Sequence, residues 1–473
     1  MFIALSILTI ACIGALTFLR GPRDGLWWGW IAAMLFVPSW LTFKLGGLIL
    51  DVRTVAAVAG LACLGLFGRK GIVHRWLPAD FIVAWLFAVQ IGSEYQTGRF
   101  GLLSAAEVAR TWLLPYLVGR WFLGSERDIT GVLSCFARAI PLLTIYSLVE
   151  AVTHVNAVND VLGKVYWLLE EGAGYRWGLK RSQAFFDHPI YYGFLLVLIL
   201  PWSLVARRQA LRNEAPGWWK YLPILVGVSL CCAASRGPLI AGIITAGIPA
   251  LLARRRLWVP VAVLTAVGVG GMVVFQGAVV DGLSNIAGEN TEEPVMLMIG
   301  DEEVEYTGTS HRILLFHVYD KALTKLEPLG YGSQLQDVDM DDVPDRFRSI
   351  DCHYVLFLLQ RGPIGLGLFV VLALVSLGTL GRLALKTGTP SSVLAGGLFG
   401  SMAMVTVMTV SVWFAPDFGS VWLFGAGLAG NLRTLKIAAE QAMPIFGPWN
   451  LESVRPAPGH APIRCNVEPE GCQ

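Results

Sequence analysis

The chain has 473 residues, of which 55% are hydrophobic and only 15% are charged, and its mean hydropathy is +0.60. Soluble domains carry about 25% charged residues, so this composition excludes a soluble globular protein and predicts an integral membrane protein. The 36 basic and 34 acidic residues leave a net charge of +2, which gives no electrostatic reason to expect nucleic acid as a partner.

Long apolar stretches recur along the whole chain. Because a helix needs about 20 apolar residues to cross roughly 30 Å of hydrocarbon, we expect an all-α polytopic membrane protein with about 12–13 transmembrane helices. The predicted spans are 2–19, 26–42, 54–68, 79–95, 104–123, 130–150, 189–206, 219–234, 237–253, 257–276, 354–380, 393–412 and 418–434. They form an N-terminal bundle within 1–276, of about ten spans, and C-terminal spans within 354–434. Residues 435–473 are rich in Pro, Gly and charge and are predicted to be a disordered cytoplasmic tail.

Basic residues gather in alternate loops between these spans. They are Arg69, Lys70, Arg75, Arg207, Arg208, Arg212, Arg254, Arg255, Arg256, Arg382, Lys386, Arg433 and Lys436. Since Lys and Arg near helix ends stay on the cytoplasmic side, these loops are predicted to be cytoplasmic. The periplasmic or external side then receives 151–188, the turn at 235–237 and a long segment, 277–353.

The long external segment is strongly acidic. From Asp281 through Asp351 it holds sixteen acidic residues against five Lys or Arg. Its acidic run 337–342 does not fit the spacing of an EF-hand, so a solvated acidic face is expected, with weak Ca²⁺ binding as the alternative. Within the segment, Ser310 is a candidate N-cap, and the apolar spacing over 311–326 predicts an amphipathic helix at the membrane surface.

Four short polar segments fall on the external side: 181–189, 235–237, 311–312 and 351–354. Arg236 is the sharpest signal, because it lies between two apolar spans with almost no loop. A charge at the bilayer centre costs about 2.5–3.5 kcal/mol even on insertion scales, so we expect an anion to meet this arginine. The alternatives are that it reaches lipid phosphate or caps a helix end.

The candidate site residues follow from these segments. Together, Arg181, Arg236 and Arg312 offer forked guanidinium groups that suit a diphosphate, although each alone is more often paired with nearby carboxylates. His353 is the candidate general base, against a role in packing or capping at a helix start. The accessory candidates are His188, His311 and Ser235, of which His188 is expected to fix the start of a helix before a proline. No metal-ligand spacing or nucleotide motif occurs, so no metal and no cofactor are expected.

These motifs, in this order, resemble the O-antigen ligase and polysaccharide polymerase family of bacterial envelope enzymes. The segment 181–189 resembles the family's Arg-Ser-x-x-x-Phe-x-His-Pro motif, although Ala184 stands where Gly is common, and 235–237 resembles its Ser-Arg-Gly. Arg312 followed by Pro-x-Gly-x-Gly at 328–332 resembles the periplasmic loop. His353 with Tyr354, where Asn is usual, resembles the start of the next helix. The resemblance covers about 180–375 and elsewhere extends only to hydropathy.

The resemblance implies a membrane glycosyltransferase of the GT-C class in the bacterial inner membrane, with its site facing the periplasm. Such enzymes transfer a glycan from an undecaprenyl diphosphate carrier to an acceptor hydroxyl, on another glycan or on lipid A-core, with inversion and without a required metal. It also implies membrane lipids as partners. A transporter or flippase of lipid-linked saccharides is the alternative, and a non-catalytic scaffold is a third; the one-sided placement of the polar groups and the lack of an internal repeat favour the enzyme.

Overall fold

The structure, a computed structural model, describes fourteen stretches of the chain. They are residues 1–45, 48–68, 75–162, 174–176, 178–254, 295–299, 302–306, 314–315, 318–335, 338, 343, 347–348, 350–386 and 389–442. The predicted span at 257–276 and the part of the predicted tail beyond 442 therefore lie outside the described residues, as does the acidic run apart from Val338. The prediction of a disordered tail from 435 is wrong at its start, because the last helix continues to Ala442.

Helices dominate the described residues. In chain order they are α1 (Phe2–Arg20), α2 (Pro22–Phe36), α3 (Val52–Phe67), α4 (Pro78–Gln96), α5 (Leu102–Val108), α6 (Leu114–Trp121), α7 (Asp128–Thr153), α8 (Ala157–Leu162), α9 (Pro189–Leu211), α10 (Leu222–Ala233), α11 (Arg236–Ala253), α12 (Asp320–Thr324), α13 (His353–Ala384), α14 (Pro390–Met408) and α15 (Pro416–Ala442). A π-helical turn, Ala109–Leu113, joins α5 to α6, and a 3₁₀ turn, Gly217–Tyr221, leads into α10.

Strands in the described residues form two-stranded antiparallel hairpins. They are β1 (Thr42–Leu45) with β2 (Leu48–Asp51), β3 (Tyr175–Arg176) with β4 (Leu179–Lys180), and β5 (Val295–Ile299) with β6 (Glu302–Tyr306). The first hairpin was not anticipated, because the apolar run at 26–42 predicted a longer helix. Instead α2 ends at Phe36, since Pro38 disfavours helical backbone at the residue before it.

The described helices confirm the predicted all-α class and support a membrane protein. Five described helices are long and apolar enough, by length and composition, to cross a membrane: α1, α7, α9, α13 and α14. Shorter apolar helices correspond to α3, α10 and α11. Every predicted span other than 257–276 coincides with described helix, although α5 and α6 share one predicted span and α2 is displaced toward the N-terminus.

The core of the bundle surrounds α9. This helix packs against α7, α10, α11, α14 and α15, and most of its residues are buried. Tyr192 and Trp202 are among the largest fully buried side chains of the protein. Since residues on every face of α9 are buried, its sequence is apolar all round and lacks the polar stripe of a surface helix.

Buried ion pairs mark the two ends of the bundle. At one end Arg120 pairs with Asp80 over 2.9 Å. At the opposite end Arg53 pairs with Asp417 over 2.5 Å, and Arg361 pairs with Glu94 over 2.6 Å. We call this second end the outer end, because the basic loops predict that it faces the exterior.

Part of the long acidic segment folds onto the outer end of α13. Its apolar side chains and two from the first turns of α13 form a small cluster, the loop core. The loop core is made of Leu314, Leu315, Tyr319, Leu335, Val338, Val343, Phe347, Ile350, Cys352, Val355 and Leu359. Of the predicted helix at 311–326, the regular part is α12, while 311–313 and 316–317 lie outside the described residues. The described apolar side chains of that stretch pack inward, against the loop core.

The Pro-x-Gly-x-Gly motif is fastened to a kink in α13. Gly362 has φ 64° and precedes Pro363, so the helical hydrogen bonding of α13 is interrupted at this point. Two carbonyls there are satisfied by the motif instead: Tyr331 N–H donates to Leu359 O over 2.8 Å, and Gly332 N–H donates to Gln360 O over 3.1 Å. The motif thus acts as a backbone clasp between the outer segment and the membrane bundle.

Candidate functional site

The segment that carries Arg181 is held in place by a buried carboxylate on α7. Glu150, 1% exposed, accepts hydrogen bonds from Ser182 Oγ over 2.7 Å and from the Ala184 N–H over 2.9 Å. Ala184 has φ 50°, in the left-handed region. This conformation explains why glycine suits the position, since a Cβ there is strained. The backbone of Ser182 is tied further to α10 by its N–H, which donates to Cys232 O over 2.9 Å.

The Ser235-Arg236 turn lies beside this segment. Ala234 ends α10 with φ 47°, and Arg236 begins α11 directly after Ser235, so the two helices join through almost no loop. Arg181 donates from Nη2 to Ser235 Oγ over 3.0 Å, although 54 residues separate them in the sequence. The structure therefore brings together two of the three predicted arginine segments.

Arg176, which was not among the predicted site residues, lies beside Arg181 and Arg236. Arg176 on β3 donates from Nη1 to Ala234 O over 2.9 Å. Burial lowers the pKa of Arg176, and the positive charge of Arg236 lowers it further. We call Arg176, Arg181 and Arg236, with Ser235, the arginine cluster. The short strand of Arg176 carries no motif, so only the hairpin fold reveals its position.

His188 lies next to the arginine cluster and caps a helix. Its Nδ1 accepts a hydrogen bond from Ile190 N–H over 3.0 Å at the start of α9, ahead of Pro189. Burial lowers the pKa of His188 to about 4, and the charge of Arg181 contributes in the same direction. A neutral imidazole is the form that accepts the capping hydrogen bond, so this histidine serves the backbone of the site.

His353 begins α13 and is 4% exposed. Its ring lies with centroid distances of 5.1 Å to each of Phe357, Phe369 and Phe414. Its backbone N–H donates to Thr409 O over 2.9 Å, which joins the start of α13 to the end of α14. Within the described part of the chain, Nε2 is buried and has no hydrogen-bond partner.

A polar cavity adjoins this ring, and we call it the His353 cavity. It offers about 180 Å³ to water-sized molecules. It is lined by Gln90, Thr111, Trp112, His353, Leu356, Phe357, Gln360, Arg361, Trp413, Phe414, Ala415, Pro416, Gly419 and Ser420. Gln360, one of these lining residues, also donates from Nε2 to Ser333 O over 2.9 Å. Ser333 directly follows the Pro-x-Gly-x-Gly clasp, so the outer segment supports the wall of the cavity that contains Gln360.

Aromatic side chains connect the arginine cluster to the His353 cavity. The His188 ring lies 5.3 Å from Tyr191, and the Tyr191 hydroxyl is hydrogen-bonded to the indole N–H of Trp413, which lines the cavity. Trp413 is 38% exposed, whereas Phe414 beside it is packed against His353. The two sites are therefore neighbours at the outer end, with Tyr191 and Trp413 between them.

Two predicted site residues, Arg312 and His311, lie outside the described residues. Among the residues that the structure does describe, no group of three or more His, Cys, Asp or Glu side chains is arranged to hold a metal ion. No protein-family model matches this chain, and no curated protein matches it at a significant level.

Proposed function

We propose that the protein transfers a glycan from an undecaprenyl diphosphate carrier to an acceptor hydroxyl at the outer face of a bacterial inner membrane. The observation that carries the proposal is the hydrogen bond between Arg181 and Ser235, which gathers Arg181, Arg236 and Arg176 at the helix ends of one side. Several guanidinium groups that repel each other at the end of a membrane bundle favour a polyanionic ligand.

The diphosphate of the carrier binds at the arginine cluster in this proposal. When the bond between the anomeric carbon and the diphosphate oxygen breaks, negative charge grows on the leaving group. Oriented guanidinium groups near the low-dielectric membrane stabilise that charge more strongly than water does. Arg312 is proposed as a further contact from the outer segment, to the diphosphate or to the acceptor, with Ser235 and His188 as residues that position Arg181, and His311 as an accessory residue.

The acceptor hydroxyl approaches from the His353 cavity. His353 takes the proton of this hydroxyl while its oxygen attacks the anomeric carbon on the face opposite the diphosphate, so the configuration inverts. The products are the lengthened acceptor and free undecaprenyl diphosphate. Arginine supplies the charge neutralisation that Mg²⁺ supplies elsewhere, so the proposed reaction needs no metal.

The test uses purified protein in lipid nanodiscs with the lipid-linked glycan and acceptor from the source cell. We expect release of undecaprenyl diphosphate together with an acceptor of higher mass, in the presence of EDTA as well. A transporter, by contrast, would move intact lipid-linked glycan across a liposome membrane without breaking the bond. Movement without bond cleavage would overturn the proposal in favour of that alternative.

A further inference from the structure

Three buried polar side chains that line the His353 cavity each carry an unsatisfied nitrogen. Gln90 is 2% exposed, His353 is 4% exposed and Arg361 is 6% exposed. Within the described residues, Gln90 Nε2, His353 Nε2 and Arg361 Nε are buried and lack a hydrogen-bond partner, and all three residues line the cavity. Leaving buried polar atoms without partners costs free energy, so three around one space indicate that the space is built to receive a polar ligand.

The charges around the cavity indicate that this ligand is neutral. Arg361 is the one described Lys or Arg that lines it, and its Nη1 forms an ion pair with Glu94 Oε1 over 2.6 Å. Glu94 also accepts from the Ser333 N–H over 3.0 Å, so its charge is held at this position. The positive charge is therefore already balanced, whereas Gln90 Nε2 and Arg361 Nε are donors without a partner among the described residues.

The walls and the volume indicate the class of ligand. Trp112 and Trp413 supply broad aromatic surfaces, and the donors are few and fixed, as in sites that orient a small ligand by its polar edge. The space of about 180 Å³ is well above the roughly 10–15 Å³ that a single water requires, so it accommodates a small ligand of the size of one sugar ring.

We infer that the His353 cavity binds one uncharged sugar ring of the acceptor, with Gln90 and Arg361 donating to its hydroxyl or ring oxygens. The assignment to the acceptor rests on the proposed function, whereas the affinity for a neutral sugar does not. Bound in this cavity, the sugar places a hydroxyl beside His353, so Gln90 and Arg361 select which hydroxyl reacts. Gln90 is then a specificity residue on α4, distant in the sequence from every predicted motif although it lines the same cavity as His353.

The test separates binding from a structural role. Gln90→Met keeps the length of the side chain but removes its hydrogen-bond donor. If Gln90 only fills space, the variant still binds the sugar; if Gln90 donates to the sugar, the variant binds it more weakly. Because the substitution removes a buried unsatisfied group, we expect the melting temperature to stay equal or to rise. We expect affinity for the sugar to fall about tenfold, which corresponds to about 1.4 kcal/mol. The matched control is Gln209→Met, since Gln209 is 5% exposed, has an unpartnered buried Oε1 and lies at the opposite end of the bundle.

Binding is measured by saturation-transfer NMR on wild type and both variants in nanodiscs, with a panel of free neutral monosaccharides and with glucuronate as the anionic probe. We expect a neutral sugar to give a signal that weakens in Gln90→Met and persists in Gln209→Met. The inference would be overturned by equal signals in all three proteins or by a stronger signal from glucuronate. It would also be overturned if no sugar gave a signal, because the cavity would then hold only water. If wild type binds the sugar but releases no undecaprenyl diphosphate in the transfer assay, the proposed function fails and the sugar site stands.

Discussion

Ser182 donates a hydrogen bond from its hydroxyl to Oε2 of Glu150 over 2.7 Å, so a buried carboxylate in the last turn of α7 sets the position of the turn that follows Arg181. The opposite oxygen, Oε1, accepts from Asn156 Nδ2 over 2.8 Å. Both oxygens are therefore used as acceptors, and a group with only one acceptor oxygen cannot replace them.

The first prediction concerns this carboxylate. In Glu150→Gln an amide NH2 group replaces one acceptor oxygen, so two hydrogen-bond donors face each other. We therefore expect a loss of about 1.5–3 kcal/mol in the free energy of unfolding, and weaker transfer. Thermal unfolding of the purified protein measures the first effect. The control is Glu126→Gln, at an exposed residue that accepts from Ser391 Oγ near the inner end. Equal melting temperatures for the two variants would show that Glu150 does not hold the turn.

The second prediction concerns the fork of Arg236. We expect Arg236→Ala to abolish transfer and Arg236→Lys to remain poor, because lysine keeps the charge but cannot hold two phosphate oxygens in one plane. Transfer and binding of the lipid-linked donor are measured in nanodiscs beside Arg212→Lys, an exposed arginine at the other end of the bundle. Turnover of Arg236→Lys near that of wild type would remove the bidentate contact from the proposal.

The third prediction separates chemistry from packing at His353. Three phenylalanine rings lie 5.1 Å from this imidazole, so His353→Phe keeps the aromatic packing while His353→Ala loses it. A positioned base contributes roughly 10²–10⁴ in rate, so we expect both variants to lose transfer to that extent while donor binding persists.

Full activity in His353→Phe would contradict the role as base. Donor binding lost in both variants would instead assign His353 to substrate holding.

The fourth prediction concerns the clasp at the kink of α13. Gly330 has φ 72°, and a Cβ there would lie 2.5–2.7 Å from Gly362 N, Leu359 O and Arg361 N. Gly98 has nearly the same φ, 70°, with no atom within 4 Å of such a Cβ. We expect Gly98→Ala to lose roughly 1–2 kcal/mol from backbone strain alone and Gly330→Ala to lose more, because its backbone neighbours cannot move aside. Equal melting temperatures for the two variants would mean that the clasp accommodates the added methyl group with no further loss of stability.

The fifth prediction concerns the pH dependence of stability. The pKa of His188 is about 4 in the folded protein and about 6.5 for an ordinary histidine. As the pH falls from about 6.5 to 4, the unfolded chain takes up a proton that the folded chain does not, so stability is lost in this window. His188→Asn keeps an acceptor for the Ile190 N–H but does not titrate. We expect its melting temperature to fall less than that of wild type between pH 7 and pH 5; the same decrease in both would contradict the prediction.

The amino-acid sequence by itself determined the class of the protein and the positions of most helices. A stretch such as 189–206 reads as helix from apolar length alone, because a membrane leaves no other way to satisfy so many backbone groups. The tight junction at Ser235 and the helix start after His188 were also visible in the residue order, since both depend on neighbouring residues. These are local properties, and local residues are sufficient to predict them.

The tertiary structure alone decided which polar groups meet. Arg176, Gln90 and Glu94 carry no motif, and each acquires its role from a partner far along the chain: Arg176 from Ala234, Gln90 from the cavity beside His353, and Glu94 from Arg361. Apolar periodicity places a residue on a helix but does not specify which helix faces it, because many packings bury the same apolar area. The buried ion pairs and the clasp at Gly330 select one packing, since any other would leave charges and backbone groups without partners in a medium that cannot solvate them.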